Sequence, residues 1–190
     1  MLGSPLKDMC ENSGYSLRNL TEPGTVLSDS AASAVTFVEN HDIIRDDAII
    51  VNKMLAYAYI LTHEGYPCVF WQDYFDFGLA LEGQESGISA LVNIHEQYAG
   101  GTTSVLYVDD NLYIMQRSGF DMQKGLIFVL NNRESWNGTS VKTEWINTKF
   151  VLMAWRGVDD TNTPQNIQTD NNGLAQFWAP TCGYCVYVPV

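Results

Sequence analysis

Short apolar runs and helical stripes divide the chain into two textures. The run "SAVTFVE" (Ser33 to Glu39) is β-branched and apolar without strict alternation, which predicts a strand covered on both faces. Residues 47 to 62 then place Ile50, Met54, Leu55, Ala58 and Leu61 on a helical stripe, with Asp46 or Asp47 available as N-cap. Gly65 breaks that run, and "YPCVF" (Tyr66 to Phe70) predicts a second strand, so strand, helix and strand make a parallel unit. A further helix over about Ile88 to Tyr98 ends at Gly100-Gly101, which marks a domain boundary. The first 33 residues, rich in Ser, Gly, Asn and Pro with one helical turn near Leu6 to Cys10, read as connection.

Beyond residue 101 the period shortens. "TSVLYVDDNLYIMQR" predicts two strands around Asp110-Asn111. Further strands are expected near Gly125–Leu130, Val141–Trp145, Phe150–Trp155, Leu174–Trp178 and Tyr184–Val188. Short strands at such spacing predict an antiparallel β-sandwich of about 90 residues, Greek-key-like in its connections. The fold class is therefore α/β followed by all-β.

Composition narrows the partners. Among 190 residues, 46% are hydrophobic and 17% charged, so a sizeable core is expected. The balance of 22 acidic against 10 basic residues gives −12, which repels phosphate backbones and anionic lipid, and no Lys/Arg stripe offsets it. Neither nucleic acid nor a membrane is an expected partner. The most apolar window carries Asn52 and Lys53 and is too short to span a bilayer. No signal peptide is read at the start, and the compartment stays open, secretion included.

The chemistry gathers at the predicted strand ends. In parallel α/β arrangements functional groups collect at the carboxyl ends of strands, and there the first strand offers Glu39, Asn40, His41 and Asp42. Asp73 holds the corresponding place after the second, beside Trp71. Carboxylates for acid/base work or cation stabilisation, His for hydroxyl hydrogen bonds and Trp for stacking suit a sugar site. Helix-entry capping by His41 and Asp42 is the competing explanation.

These segments resemble the alpha-amylase family of glycoside hydrolases. "AVTFVENHD" is similar to that family's strand-seven motif, "GYPCVFWQDYF" to its strand-eight segment, and "NNGLAQFWAPTCGYCVYVP" to its antiparallel C-terminal domain. The resemblance implies that residues 1–101 are the last two β/α units of a TIM-type (β/α)8 barrel and that 102–190 are the C-terminal β-sandwich. It further implies that Asp42 stabilises an oxocarbenium-like transition state and that His41 binds hydroxyls of the same sugar. Glu39, Asn40, Arg45, Trp71 and Asp73 would be substrate-binding or supporting groups. The implied substrate is an α-1,4-glucan such as starch, cleaved with retention. Glu39 stands where the family more often has Asp, and Trp71-Gln72 replaces its commoner Tyr-Gly.

Retaining chemistry also needs a nucleophile and a general acid/base, and both would lie upstream of Met1. Asp159 follows Arg156 with the wrong spacing, and Glu144 lies beside Trp145 inside the predicted sandwich, so neither is expected to replace them. Two barrel strands alone would expose edges and apolar faces, which predicts self-association or repacking. A non-catalytic glucan-binding protein and an assembly module remain the alternatives, the first using Trp136, Trp145, Trp155 and Trp178 if they are not core.

The sequence assigns no cofactor, with calcium the one candidate. Calcium could draw oxygen ligands from Arg45–Asp47, Asp109–Asn111 or Asp159–Asn162, although turn chemistry also explains these residues. Cys182 and Cys185 read as structural, and His63 and His95 as surface residues.

Overall fold

The structure, a computed structural model, describes residues 3–158 and 162–190. Its N-terminal half runs α1 (Gly3–Glu11), two 3-10 turns (Leu17–Thr21 and Ala31–Ser33) flanking α2 (Val26–Asp29), β1 (Val35–Phe37), α3 (Ile43–Asp46), α4 (Lys53–Thr62), β2 (Tyr66–Cys68), α5 (Trp71–Tyr74) and α6 (Ile88–Tyr98). The C-terminal half is all strand: β3 (Thr103–Val108), β4 (Leu112–Arg117), β5 (Leu126–Asn131), β6 (Asn137–Lys142), β7 (Lys149–Arg156), β8 (Ile167–Gln168), β9 (Leu174–Ala179) and β10 (Gly183–Pro189).

Strands β1 and β2 pair in parallel, with Val35 opposite Tyr66 and Phe37 opposite Cys68. The inner face of this pair holds buried Thr36. The other face leaves Val35 60% and Tyr66 63% exposed. The turn into β2 needs Gly65: its φ is +107°, and a Cβ there would meet the Ala34 carbonyl oxygen at 3.0 Å.

The remaining strands form a six-stranded antiparallel sheet in the order β3-β4-β5-β10-β7-β8 and a two-stranded sheet of β6 with β9. Side chains alternate across the large sheet. Tyr113, Met115, Phe128, Tyr184 and Val186 face α4 and α6, while Ile114, Ile127, Val129, Cys185 and Tyr187 face Val141 and Phe177 of the small sheet. The layers are thus helices, six strands and two strands, and one apolar core runs across residue 101.

Helix α4 explains that continuity. Met54 to Thr62 are all buried, because α1, β1, α6 and the large sheet surround the helix. At its C-terminus Arg117 of β4 donates to the Thr62 carbonyl (3.1 Å) and to the Gly101 carbonyl (2.7 Å), placing a cation at the negative helix end. Beside it, buried His63 donates from Nδ1 to the Tyr59 carbonyl (2.7 Å) and accepts at Nε2 from the Tyr113 hydroxyl (2.9 Å). Full burial pushes the His63 pKa down to about 3.

Several expectations shift. The long helix begins at Lys53 instead of near residue 47, because Asn52 adopts φ 50°, a left-handed conformation that interrupts the run; Asp47 instead follows the short α3. The first 33 residues are more than connection: Leu6, Met9 and Cys10 of α1 enter the core, and the Tyr15 carbonyl accepts from Asn132 Nδ2 at 2.7 Å. His63 is interior rather than surface, and His95 is half-buried on the Leu61 carbonyl. Cys182 sits in the turn before β10 with φ 42°, and all four cysteines are free.

Candidate functional site

The parallel pairing sets the ends of β1 and β2 side by side, and the loops leaving those ends shape the site. After β1, the Asn40 side chain curls onto the entry of α3: its Oδ1 accepts from the backbone N–H of Asp42 and of Ile43, both at 3.0 Å. This local cap folds the chain so that His41 and Asp42 project into solvent, with side chains 86% and 70% exposed. His41 Nε2 stands 3.5 Å from Asp42 Oδ2, which is an ion-pair contact when the imidazole is protonated. Arg45, one turn on, is exposed and pairs with its neighbour Asp46 at 3.1 Å.

Glu39 and Asp73 take the opposite course. Neither has any exposed side-chain surface, and Lys53 Nζ lies between them, 2.8 Å from Glu39 Oε2 and 2.7 Å from Asp73 Oδ1. Each carboxylate completes its bonding nearby: Glu39 Oε1 accepts from the Ile49 N–H, and Asp73 Oδ2 from the Tyr57 hydroxyl, both at 2.5 Å. Lys53 also lies over the Phe77 ring, 5.1 Å from its centroid. Burial alone would lower the Lys53 pKa, but hydrogen bonds and charge from Asp73 and Glu39 outweigh it and raise it above 10.5. For Tyr57, burial and then Asp73 push the phenol pKa well up, so it stays a donor.

The strand-end residues therefore separate by role. Glu39 and Asp73 form a buried ionic clasp holding β1, α4 and α5 together, with no carboxylate surface turned to a ligand. His41 and Asp42 stand on this clasp as the accessible groups. Trp71 is 58% exposed beside Phe75 and opens α5, where it can offer a ring face. Asn40 acts through the backbone it caps.

Lys53 and Tyr57 are the members that sequence reasoning missed. The available signal was a lone lysine opening an otherwise apolar helix, in a chain with only 10 basic residues.

At the Asp109–Asn111 turn the carboxylates are already engaged by the protein. Asp109 Oδ1 accepts from the N–H groups of Asn111 and Leu112, its Oδ2 accepts from Tyr107, and Asp110 binds Ser16 and Arg18. Among the described residues no group of three or more His, Cys, Asp or Glu could hold a metal ion. Asp159 and Asp160, candidates for calcium and, in the case of Asp159, for catalysis, lie outside the described residues. Glu144 is exposed beyond β6, where Gln116 donates to it at 3.3 Å. No described helix is long and apolar enough to cross a membrane.

The two-stranded parallel unit and the large antiparallel sheet together match part of solved alpha-amylase-family structures. The chain matches a cyclomaltodextrin glucanotransferase, CldA, with a TM-score of 0.68 at 20% identity, over 100% of this chain and 44% of that one. It matches an Anoxybacillus alpha-amylase with a TM-score of 0.67 at 13% identity, over 98% of this chain and 45% of that one. Those identities establish the fold alone.

Comparison of sequences finds higher identities over shorter stretches. The chain is 36% identical over 114 residues to the glucan 1,4-alpha-maltohexaosidase of Bacillus sp. (strain 707), covering 55% of this chain and 21% of that protein. It is 34% identical over 99 residues to the alpha-amylase type B isozyme of Hordeum vulgare, covering 46% of this chain and 59% of that protein. It is 41% identical over 85 residues to the alpha-amylase of Geobacillus stearothermophilus, covering 41% of this chain and 16% of that protein. No family model matches. The chain resembles alpha-amylase-type glycosidases and spans only part of each relative's length.

Proposed function

We propose that the chain forms the C-terminal part of an alpha-amylase-type glycoside hydrolase acting on α-1,4-glucans with retention. Residues 1–101 would close the catalytic barrel, contributing its last two β/α units, and residues 102–190 would be the C-terminal β domain. The observation that carries this is the pairing of β1 with β2, which sets His41 and Asp42 at one strand end and Trp71 at the next.

Asp42 is the group that would meet positive charge developing on the sugar ring. An exposed carboxylate in water gains little from that contact; enclosed by further chain, in a lower dielectric, it gains far more. His41 would donate to a hydroxyl of the same sugar, and Trp71 would stack against a neighbouring ring. The nucleophile and general acid/base would come from chain beyond these 190 residues, which fits a match to 44% and 45% of the length of the two solved structures. The apolar outer face of Val35, Phe37, Tyr66 and Cys68 would be covered by that chain.

Release of reducing sugar from soluble starch by the purified chain, beside Asp42→Ala, tests this division of labour. Equal, background-level release is expected from both. Release that depends on Asp42 would show that the chain assembles all three carboxylates itself and would overturn the division.

A further inference from the structure

The end of β7 carries a cation that the strand-end site does not use. Arg156, the last residue of that strand, has a buried Nη1 with no hydrogen-bond partner. Among the described residues no carboxylate forms an ion pair with it. A guanidinium stays charged at any working pH, and a buried N–H left unbonded is costly enough that folded proteins rarely keep one. A ligand oxygen would satisfy it.

There is room for one. Arg156 stands between two cavities, one of about 650 Å³ bounded by the start of α4 and residues 81–86, and one of about 400 Å³ reaching toward Phe77. In the larger cavity it is the only cation among the described residues, in a chain whose net charge is −12. Asn52 borders the same space and opens α4 without a side-chain cap bond, so the positive helix end adds to the field of the guanidinium. Glu85 is the one carboxylate in this lining, and it is exposed, where water screens it. Met54, Leu55, Leu81 and Trp155 supply carbon surface beside the cation. A lone inorganic anion would leave most of such a volume empty, whereas an organic acid could place its carboxylate on the planar guanidinium fork and its body against these side chains.

We infer that this cavity is a binding site for a small organic carboxylate, held through Arg156 and packed against Met54, Leu55, Leu81 and Trp155. The inference stands apart from the function proposed for the strand end. The two places are nevertheless joined: Asn52 and Met54 flank Lys53, whose ammonium holds Glu39 and Asp73. A bound acid would brace the end of β7 against the clasp beneath His41 and Asp42.

Isothermal titration calorimetry of the whole 190-residue chain with sodium benzoate, at an ionic strength held constant with sodium chloride, tests the site. One saturable site is expected, with a dissociation constant in the millimolar range or tighter. Benzyl alcohol, which keeps the ring and lacks the charge, should bind at least about tenfold more weakly, and Arg156→Met should weaken benzoate by a similar factor. Glu85→Gln, at an exposed position, should keep the fold and tighten benzoate about twofold or more, because it removes the like charge from the lining. Absence of saturable binding by the unsubstituted chain would overturn the site. Benzyl alcohol binding as tightly as benzoate would do the same, as would unchanged benzoate affinity in Arg156→Met or in Glu85→Gln. If Arg156→Met fails to fold, the benzyl alcohol and Glu85→Gln measurements still decide.

Discussion

Lys53 Nζ lies 2.7 Å from Asp73 Oδ1, joining the first residue of α4 to the carboxylate beyond β2. Since the same ammonium lies 2.8 Å from Glu39 after β1, the ends of both parallel strands are fixed by one cation. The exposed His41–Asp42 pair gets its position from this buried contact, because Glu39 directly precedes the loop that carries them.

The Lys53→Met variant should therefore be costly. Removing the cation leaves two carboxylates with no solvent exposure and no counter-charge, a change that typically costs about 3–5 kcal/mol. A large drop in the urea midpoint is expected, partly recovered in Lys53→Met/Asp73→Asn. A stability within about 0.5 kcal/mol of the unsubstituted chain would show that the clasp is structurally idle.

Acid should destabilise the chain through His63. Its pKa is about 3 in the fold against 6.5 for the free side chain, so between those values the unfolded state binds the extra proton. The contribution is fully present above pH 6.5 and is lost as pH falls toward 3, up to about 4–5 kcal/mol at about 1.4 kcal/mol per pH unit. Thermal melts from pH 7 to 4 should fall more steeply for the unsubstituted chain than for His63→Gln. Parallel pH profiles would contradict this assignment.

The outer face of β1 and β2 should make the isolated chain sticky. Val35 and Tyr66 are adjacent, apolar and more than half exposed, on strands whose outer edges have no partner among the described residues. Light scattering should give a mass above 21.3 kDa that returns to the monomer value in Val35→Lys/Tyr66→Lys. A clean monomer for the unsubstituted chain would show that this face needs no cover.

Much of the placement of strands along the chain was legible because local pattern and tertiary environment agree. Ile88–Tyr98 appears as the periodicity predicts, bounded by glycines, and β5, β7, β9 and β10 fall where the apolar runs do. The start of α4 was not legible: Ile50 continues the helical stripe yet is 83% exposed, because the left-handed Asn52 overrides the pattern. The roles of Glu39 and Asp73 were hidden for a related reason. A carboxylate after a strand reads the same whether it meets a ligand or a buried lysine, and only the register of α4 brings Lys53 between them. Trp178 likewise points outward, 39% exposed opposite Gly138 across the ladder, whereas Trp145 and Trp155 are partly buried against the core, a difference only the strand register shows.

The most direct measurement replaces the matching C-terminal segment of the Geobacillus stearothermophilus alpha-amylase with this chain and compares starch hydrolysis with and without Asp42→Ala. If Asp42 meets the developing positive charge, the hybrid should hydrolyse starch, and the substitution should lower kcat by at least about 10²–10³-fold with KM changed far less. A hybrid that hydrolyses starch equally well with alanine at position 42 would contradict the assignment of the β1 end to catalysis.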